Sequence, residues 1–203
     1  MILVSACLVG IPSRYDGRQC LSHKAETNEK AAMFFSSPSS PPLSTAAGQA
    51  KPAMIFDFRR SGNTGSLFPT SPLSAAVGGR LADEEWVAVC PEQLGGLSTP
   101  RSAARIEHGS GIDVLAGRAR VKTLDGVDVT WAYVRGAEAV LEIARRLEVT
   151  TCFLKDRSPS CGINSIQNET DYFQGPGVCA ALLIQKGFET VEIKAKAGTV
   201  FSV

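Results

Sequence analysis

Short apolar runs that stop at a cysteine, or shortly before one, constrain this chain more than any other feature. Ile2-Leu3-Val4-Ser5-Ala6 leads into Cys7, and Trp86-Val87-Ala88-Val89 leads into Cys90. Cys152-Phe153-Leu154 leads into Cys161 through a polar turn, Lys155-Asp156-Arg157-Ser158-Pro159-Ser160. Near-continuous apolar runs of this length suit strands buried on both faces, the setting of a parallel sheet. If the three runs are neighbouring parallel strands, all three thiols converge on its carboxyl edge, where open α/β sheets bind ligands. Three thiolates meeting at one point make a soft, anionic metal site, one ligand short of closure.

The segments between these runs give an alternating α/β pattern. A helix is predicted over His23–Phe35, with Ser22 as its N-cap. Another carries Val134, Ala137, Val140, Leu141, Ala144 and Leu147 on one face. A third starts at Gly177 and runs through Ile184, and strands are predicted at Thr150–Leu154 and Thr190–Ile193. Leu124-Asp125-Gly126 between Arg120–Thr123 and Val127–Thr130 predicts a hairpin. The stretch Ser36-Ser37-Pro38-Ser39-Ser40-Pro41-Pro42 removes backbone donors and has little to bury. It opens an insertion or lid over about residues 36–79, with a short strand or apolar plug at Met54–Phe58 and a short helix at Leu73–Val77. The expected fold is a single three-layer α/β domain over residues 1–203, with a mostly parallel, Rossmann-like sheet.

Bulk properties narrow the function. At 203 residues, 44% of them hydrophobic, the chain can bury one good core. A net charge of +1 gives no electrostatic pull toward nucleic acid or membrane. No run approaches a membrane span, and the N-terminus lacks the basic start of a signal peptide. The expected compartment is the reducing cytoplasm, where the six cysteines stay thiols or bind metal.

Each candidate has a bland reading beside the functional one. Cys7, Cys90 and Cys161, taken singly, are explained as small buried hydrophobes; their recurrence at strand exits is not. Cys152 and Cys179 fit the core reading, Cys20 reads as an exposed loop thiol, and neither His23 nor His108 is assigned a role. Glu92, two residues past Cys90, could activate water or shuttle a proton beside a metal. In Ser158-Pro159-Ser160-Cys161-Gly162, backbone N–H groups could form an anion nest and the serines add hydroxyl donors. Lys155 and Arg157 would bring positive charge to the thiolates. Asp16, in Arg14-Tyr15-Asp16-Gly17, could meet a substrate amide, and Arg101, in Thr99-Pro100-Arg101, could form a second pocket wall.

Taken in order, these motifs resemble a known set. Ser-Ala-Cys-Leu-Val-Gly with Arg-Tyr-Asp-Gly, Val-Cys-Pro-Glu with Leu-Gly-Gly-Leu and Thr-Pro-Arg, Ser-Pro-Ser-Cys-Gly, and Gly-Val-Cys-Ala-Ala-Leu-Leu are similar to the bacterial thiouracil desulfidase family. The likeness spans nearly the whole chain outside about residues 28–79. It implies a [4Fe–4S] cluster on Cys7, Cys90 and Cys161 with one open iron, an acid/base carboxylate at Glu92 and a functional serine at Ser158. The implied reaction is hydrolytic desulfuration of a thiolated pyrimidine base or nucleoside, with modified RNA the less favoured substrate. Two departures stand out: the insertion, and Ser13, where many relatives carry a further cysteine. The rival readings are a non-catalytic iron–sulfur or thiol protein handling electrons or sulfur, a metal-free thiol enzyme, and a zinc protein.

Overall fold

The computed structural model describes residues 1–20, 56–58, 84–167 and 172–194. Five strands form the central sheet: β1 (Ile2–Ser5), β2 (Phe56–Phe58), β3 (Trp86–Val89), β6 (Thr151–Lys155) and β9 (Glu189–Ile193). Their order is β2-β3-β1-β6-β9; β3, β1, β6 and β9 are parallel, and only the edge strand β2 runs antiparallel. The expected mostly parallel α/β sheet is therefore present. Part of the predicted strand at Met54–Phe58 is its edge. The predicted helices His23–Phe35 and Leu73–Val77, and the rest of the insertion, lie outside the described residues.

Four α-helices are described: α1 (Pro91–Leu94), α2 (Gly111–Leu115), α3 (Thr130–Arg146) and α4 (Val178–Gln185). The long helix α3 buries the stripe its sequence predicts, with Ala137, Val140, Leu141 and Ala144 facing inward. It packs on α1 and α4. Their side chains meet Leu3, Val87, Val89, Cys152 and Leu154 on one face of the sheet. Ile2, Val4, Phe153 and Ile193 are buried on the opposite face. Each such aliphatic side chain contributes roughly 1.5–3 kcal/mol by burial, so a strand apolar on both faces is held more firmly than an alternating one.

The Asp125-Gly126 hairpin is the main correction. The turn forms, with Gly126 at φ 86°, but its second arm yields a single bridge, Lys122 to Asp128. The Asp128 carboxylate accepts from the Thr130 N–H at 2.9 Å, and the Thr130 hydroxyl accepts from the Val121 N–H at 2.9 Å. Helix α3 therefore starts where the arm would continue. Strand β5 (Arg120–Thr123) pairs instead with β4 (Ala104–Glu107), a strand the sequence pattern did not suggest. Strands β7 (Ser165–Gln167) and β8 (Tyr172–Gln174) form a second short antiparallel pair.

Two glycines set the α1–α3 contact. A Cβ on Gly95 would lie 1.9 Å from the Ala132 carbonyl oxygen, and one on Gly136 would lie 1.9 Å from that of Pro91. Both obstacles are backbone and cannot swing aside. We expect Gly136→Ala to push α1 off α3 and cost roughly 1–3 kcal/mol, typical of forced overpacking. Thermal denaturation would show it as a lowered Tm. An unchanged Tm would mean that α1 is not seated as described.

Candidate active site

Strands β1, β3 and β6 end side by side, with Ser5 opposite Val89 and Val4 opposite Phe153. The chain passes from β3 across β1 to β6, so the direction of strand addition reverses here, leaving a crevice beyond the carboxyl ends. A cavity of about 330 Å³ occupies it, and Cys7, Cys90 and Cys161 all line it. Sequence adjacency plays no part in bringing these thiols together. Strand order does.

Each thiol is delivered by a different local device. Cys7 sits in a 3-10 turn, Ala6–Val9, that closes on Gly10 at φ 89°, a left-handed conformation glycine adopts without Cβ strain. Cys90 is the N-cap of α1, with Pro91 at the first helical position and no capping bond to its side chain. Its Sγ lies 3.6 Å from the Ser13 carbonyl oxygen as a hydrogen-bond donor. Cys161 rides on a turn clamped by α4. The otherwise orphaned N–H groups at that helix start donate to the turn, Val178 to Pro159 O at 2.9 Å and Cys179 to Ser160 O at 2.9 Å. Gly177 permits this approach, since a Cβ there would meet the Pro159 oxygen at 2.6 Å.

The expected anion nest in that turn is not available. The N–H groups of Ser160 and Cys161 donate to the Ser158 hydroxyl oxygen at 3.2 and 3.1 Å, and that of Gly162 to Ser158 O at 2.9 Å. A proline turn with a serine two residues before its central N–H satisfies itself locally. Ser158 lines the cavity and keeps its own proton free of these bonds.

Glu92 and Arg101 form one unit on the cavity wall. Arg101 Nη2 and Nε approach the same Glu92 oxygen, Oε2, at 2.6 and 2.7 Å, with side-chain exposures of 8% and 13%. The guanidinium also donates to Ser13 O, Ser98 O and Thr99 Oγ1. Burial opposes its charge, but Glu92 and Cys90 raise its pKa overall. Arg101 forms part of a wall, as expected, and it also anchors the carboxylate. Tyr133 is fully buried on α3 and lines the same cavity as Glu92; burial first, then that negative charge, holds its phenol well above the usual range. Sequence reading missed Tyr133 because it counted only aliphatic positions on the α3 face.

The other candidates are distributed as follows. Lys155 lines the cavity, donating to Asp156 O at 2.8 Å, and its charge favours the thiolates of Cys7 and Cys161. Arg157 also lines it, but its guanidinium stacks 4.6 Å from the Tyr172 ring centre and pairs with Asp156 at 3.5 Å. Asp16 is not among the lining residues. Its carboxylate accepts from the Arg18 N–H at 3.0 Å and pairs with Arg14 at 3.4 Å, and it is Arg14 and Tyr15 that reach the cavity. Cys152 and Cys179 are core residues, as read. Cys20 is not the exposed thiol its polar neighbours suggested: it is 4% exposed, and its backbone N–H donates to the Cys7 carbonyl oxygen at 2.9 Å. Ser5 was overlooked too. It is a buried hydroxyl at the end of an apolar strand that accepts from the Lys155 N–H at 3.2 Å, lines the cavity and lowers the pKa of Cys161.

The cysteines of the cavity resist ionisation in the protein alone. Cys7 is raised well above the ordinary thiol value by its bond with Cys20, by burial, and by the charges of Cys20 and Cys161. Burial raises Cys90, with Glu92 adding to it. Burial pushes Cys161 up to about 12, helped by Cys90 and Glu92. Cys161 thus responds to Cys90, and Cys7 to Cys161.

Known proteins are similar to this chain. The family model described as 2-thiouracil desulfurase matches residues 62–194. A Bacillus subtilis (strain 168) protein, described as uncharacterized protein YbbK, is 34% identical over 195 residues, covering 94% of each chain. A solved structure described as the [4Fe–4S]-dependent thiouracil desulfidase TudS is 28% identical, with a TM-score of 0.56, covering 94% of this chain and 89% of that one. With the family model spanning most of its length and the relative matching nearly end to end, this chain belongs to the 2-thiouracil desulfurase family and is an enzyme of desulfidase type.

Proposed function

We propose that this enzyme hydrolyses the thiocarbonyl of a thiolated pyrimidine, as free base or nucleoside, replacing C=S by C=O and releasing sulfide. We further propose that Cys7, Cys90 and Cys161 hold a [4Fe–4S] cluster with one iron left open. One observation carries the reading: three thiols from three parallel strand ends line the same cavity as a carboxylate fixed by Arg101.

The donor set fits the cluster. All three ligands are soft sulfurs, and a cationic core would displace the protons that burial and mutual repulsion hold on them. Among the described residues no three His, Cys, Asp or Glu side chains are grouped to hold a single metal ion. Cysteine sulfurs are the ordinary ligands of iron–sulfur cores, and the family neighbour's cluster-dependent chemistry supports that choice. When bound, a cluster with an open iron supplies a soft Lewis acid for a thiocarbonyl sulfur.

The protein's own groups supply the proton chemistry. Arg101 engages one oxygen of Glu92, so the other oxygen can take a proton from water. The water oxygen adds to the thiocarbonyl carbon, and the C–S bond then breaks. The adduct's hydroxyl proton passes to sulfur as C=O forms, hydrosulfide leaves, and the proton held by Glu92 completes hydrogen sulfide. Nothing is oxidised or reduced: thiocarbonyl and water become carbonyl and hydrogen sulfide. Ser158, whose lone pairs accept the turn N–H groups, can direct its remaining proton to the substrate. Lys155 balances negative charge that gathers near the sulfurs.

The test is an anaerobic assay of the full chain after cluster reconstitution, following the thiouracil absorbance band and released sulfide. The expected result is conversion of thiouracil to uracil with one sulfide per turnover and no added reductant. A fully loaded protein that turns over no thiopyrimidine would sink the reading.

A further inference from the structure

Two large side chains at the cavity have no task in the reaction above. Among the described residues, Tyr15 and Leu124 are the exposed large apolar side chains that line it, 44% and 64% open to water. A single exposed apolar residue needs no explanation, but two at the opening of one cavity form a patch. Much of the remaining lining is polar, with Ser5, Glu92, Arg101, Lys155 and Ser158 among it. Such groups can act on a thiocarbonyl and on water, yet they offer nothing to the apolar faces of a flat ring. Ligand pockets commonly set a few polar groups among apolar and aromatic walls.

The backbone holds both residues in place. The Arg101 N–H donates to Tyr15 O at 2.8 Å, and the Leu124 N–H donates to Ala103 O at 2.8 Å. Between these bonds the Ser102 hydroxyl donates to the Asp125 carboxylate at 2.7 Å. Residues 101–103 therefore strap the two loops together, and the strap begins at the residue whose side chain grips Glu92. The Tyr15 loop is also closed on itself, the Gly17 N–H donating to Arg14 O at 3.0 Å and the Arg18 N–H to Asp16 Oδ1 at 3.0 Å. The Arg14 guanidinium stands over the Tyr15 ring, 5.8 Å from its centre. A half-exposed aromatic on so constrained a turn has little freedom left to lose when it grips a ligand.

We propose that Tyr15 and Leu124 are specificity-determining residues for the substrate ring, Tyr15 stacking on the face of the thiopyrimidine and Leu124 adding an apolar contact. The inference rests on the reading of a thiolated pyrimidine as the substrate. Stacking uses the π-face and needs no hydrogen bond, so the ring of Tyr15 matters and its hydroxyl does not. Because the strap also carries Arg101, one short segment positions both the substrate ring and the carboxylate that activates water against it.

The experiment compares reconstituted full-length wild type, Tyr15→Ala, Tyr15→Phe and Leu124→Ala, reading kcat and KM for thiouracil together with iron content. Tyr15→Ala is expected to raise KM about ten-fold and Leu124→Ala about three-fold, with kcat and iron content little changed. Tyr15→Phe restores the ring face and should recover a KM close to that of wild type. A wild-type KM in Tyr15→Ala, or a Tyr15→Phe variant as impaired as Tyr15→Ala, overturns the assignment while the reaction itself stands. A loaded wild type that converts no thiopyrimidine overturns the reaction and this inference with it, so the two failures are told apart before any variant is compared.

Discussion

Cys161→Ala is expected to yield a folded protein that no longer holds its cluster. Removing one of the three proposed sulfur ligands leaves two, too few to retain iron against chelation, and desulfidase activity should fall by at least about a hundred-fold. Iron and acid-labile sulfide analysis after reconstitution is the decisive measurement. Folding should survive, because the turn around Cys161 is held by backbone bonds to α4 and by the Ser158 hydroxyl and not by the thiol. Cys152→Ala is the matching control. That thiol is wholly buried within β6, so its loss should lower Tm and leave iron content unchanged. Equal iron in Cys161→Ala and wild type would remove Cys161 from the ligand set.

The second large effect is expected from Glu92→Gln. In the proposed reaction Glu92 is the general base, and loss of such a group's charge typically lowers kcat by about a hundred- to ten-thousand-fold. The amide preserves shape, and Cys90, two residues earlier, keeps its place as N-cap of α1. Iron content and the cluster's absorption spectrum should therefore match wild type while turnover collapses. Stability is also affected. Arg101 is almost buried, and losing its carboxylate leaves a charge without its counter-ion, a change that costs on the order of 3 kcal/mol. Kinetics must accordingly be measured below the variant's lowered Tm. A kcat near that of wild type in a loaded Glu92→Gln enzyme would show that the carboxylate serves only to anchor Arg101.

Local patterns carried much of the molecule. The three runs that lead to Cys7, Cys90 and Cys161 are legible because a strand buried on both faces has almost no freedom in composition, and the turn that follows its end is already at the sheet's edge. Helix α3 is legible for a similar reason, its apolar stripe repeating over 17 residues. Short elements were less legible. Strand β4 and helix α2 hold only four and five residues, too few for a period to emerge. The Asp125-Gly126 turn was visible, but its second arm was not a strand. Whether Val127–Val129 pairs onward is decided by Asp128 and Thr130, whose side chains start a helix there.

Within the site, Cys7, Cys90, Cys161 and Glu92 were legible from their positions at strand exits. Tyr133, Ser5 and Cys20 were not. Each is an ordinary residue for its local setting: an aromatic on an apolar helix face, a serine ending a strand, a cysteine in a polar loop. Their importance arises from partners 41, 156 and 13 positions away along the chain, namely Glu92, Cys161 and Cys7.

By itself the amino-acid order determined the strand ends, the helical stripe and the chemical kinds available at the sheet edge, since these depend on interactions within a few residues. Which strands are neighbours, and so which thiols share a cavity, was decided by the order β3-β1-β6. The Glu92–Arg101–Tyr133 grouping and the Cys7–Cys20 pair were likewise settled only by packing. Such contacts depend on distances set by the whole core, and no short window of sequence encodes them.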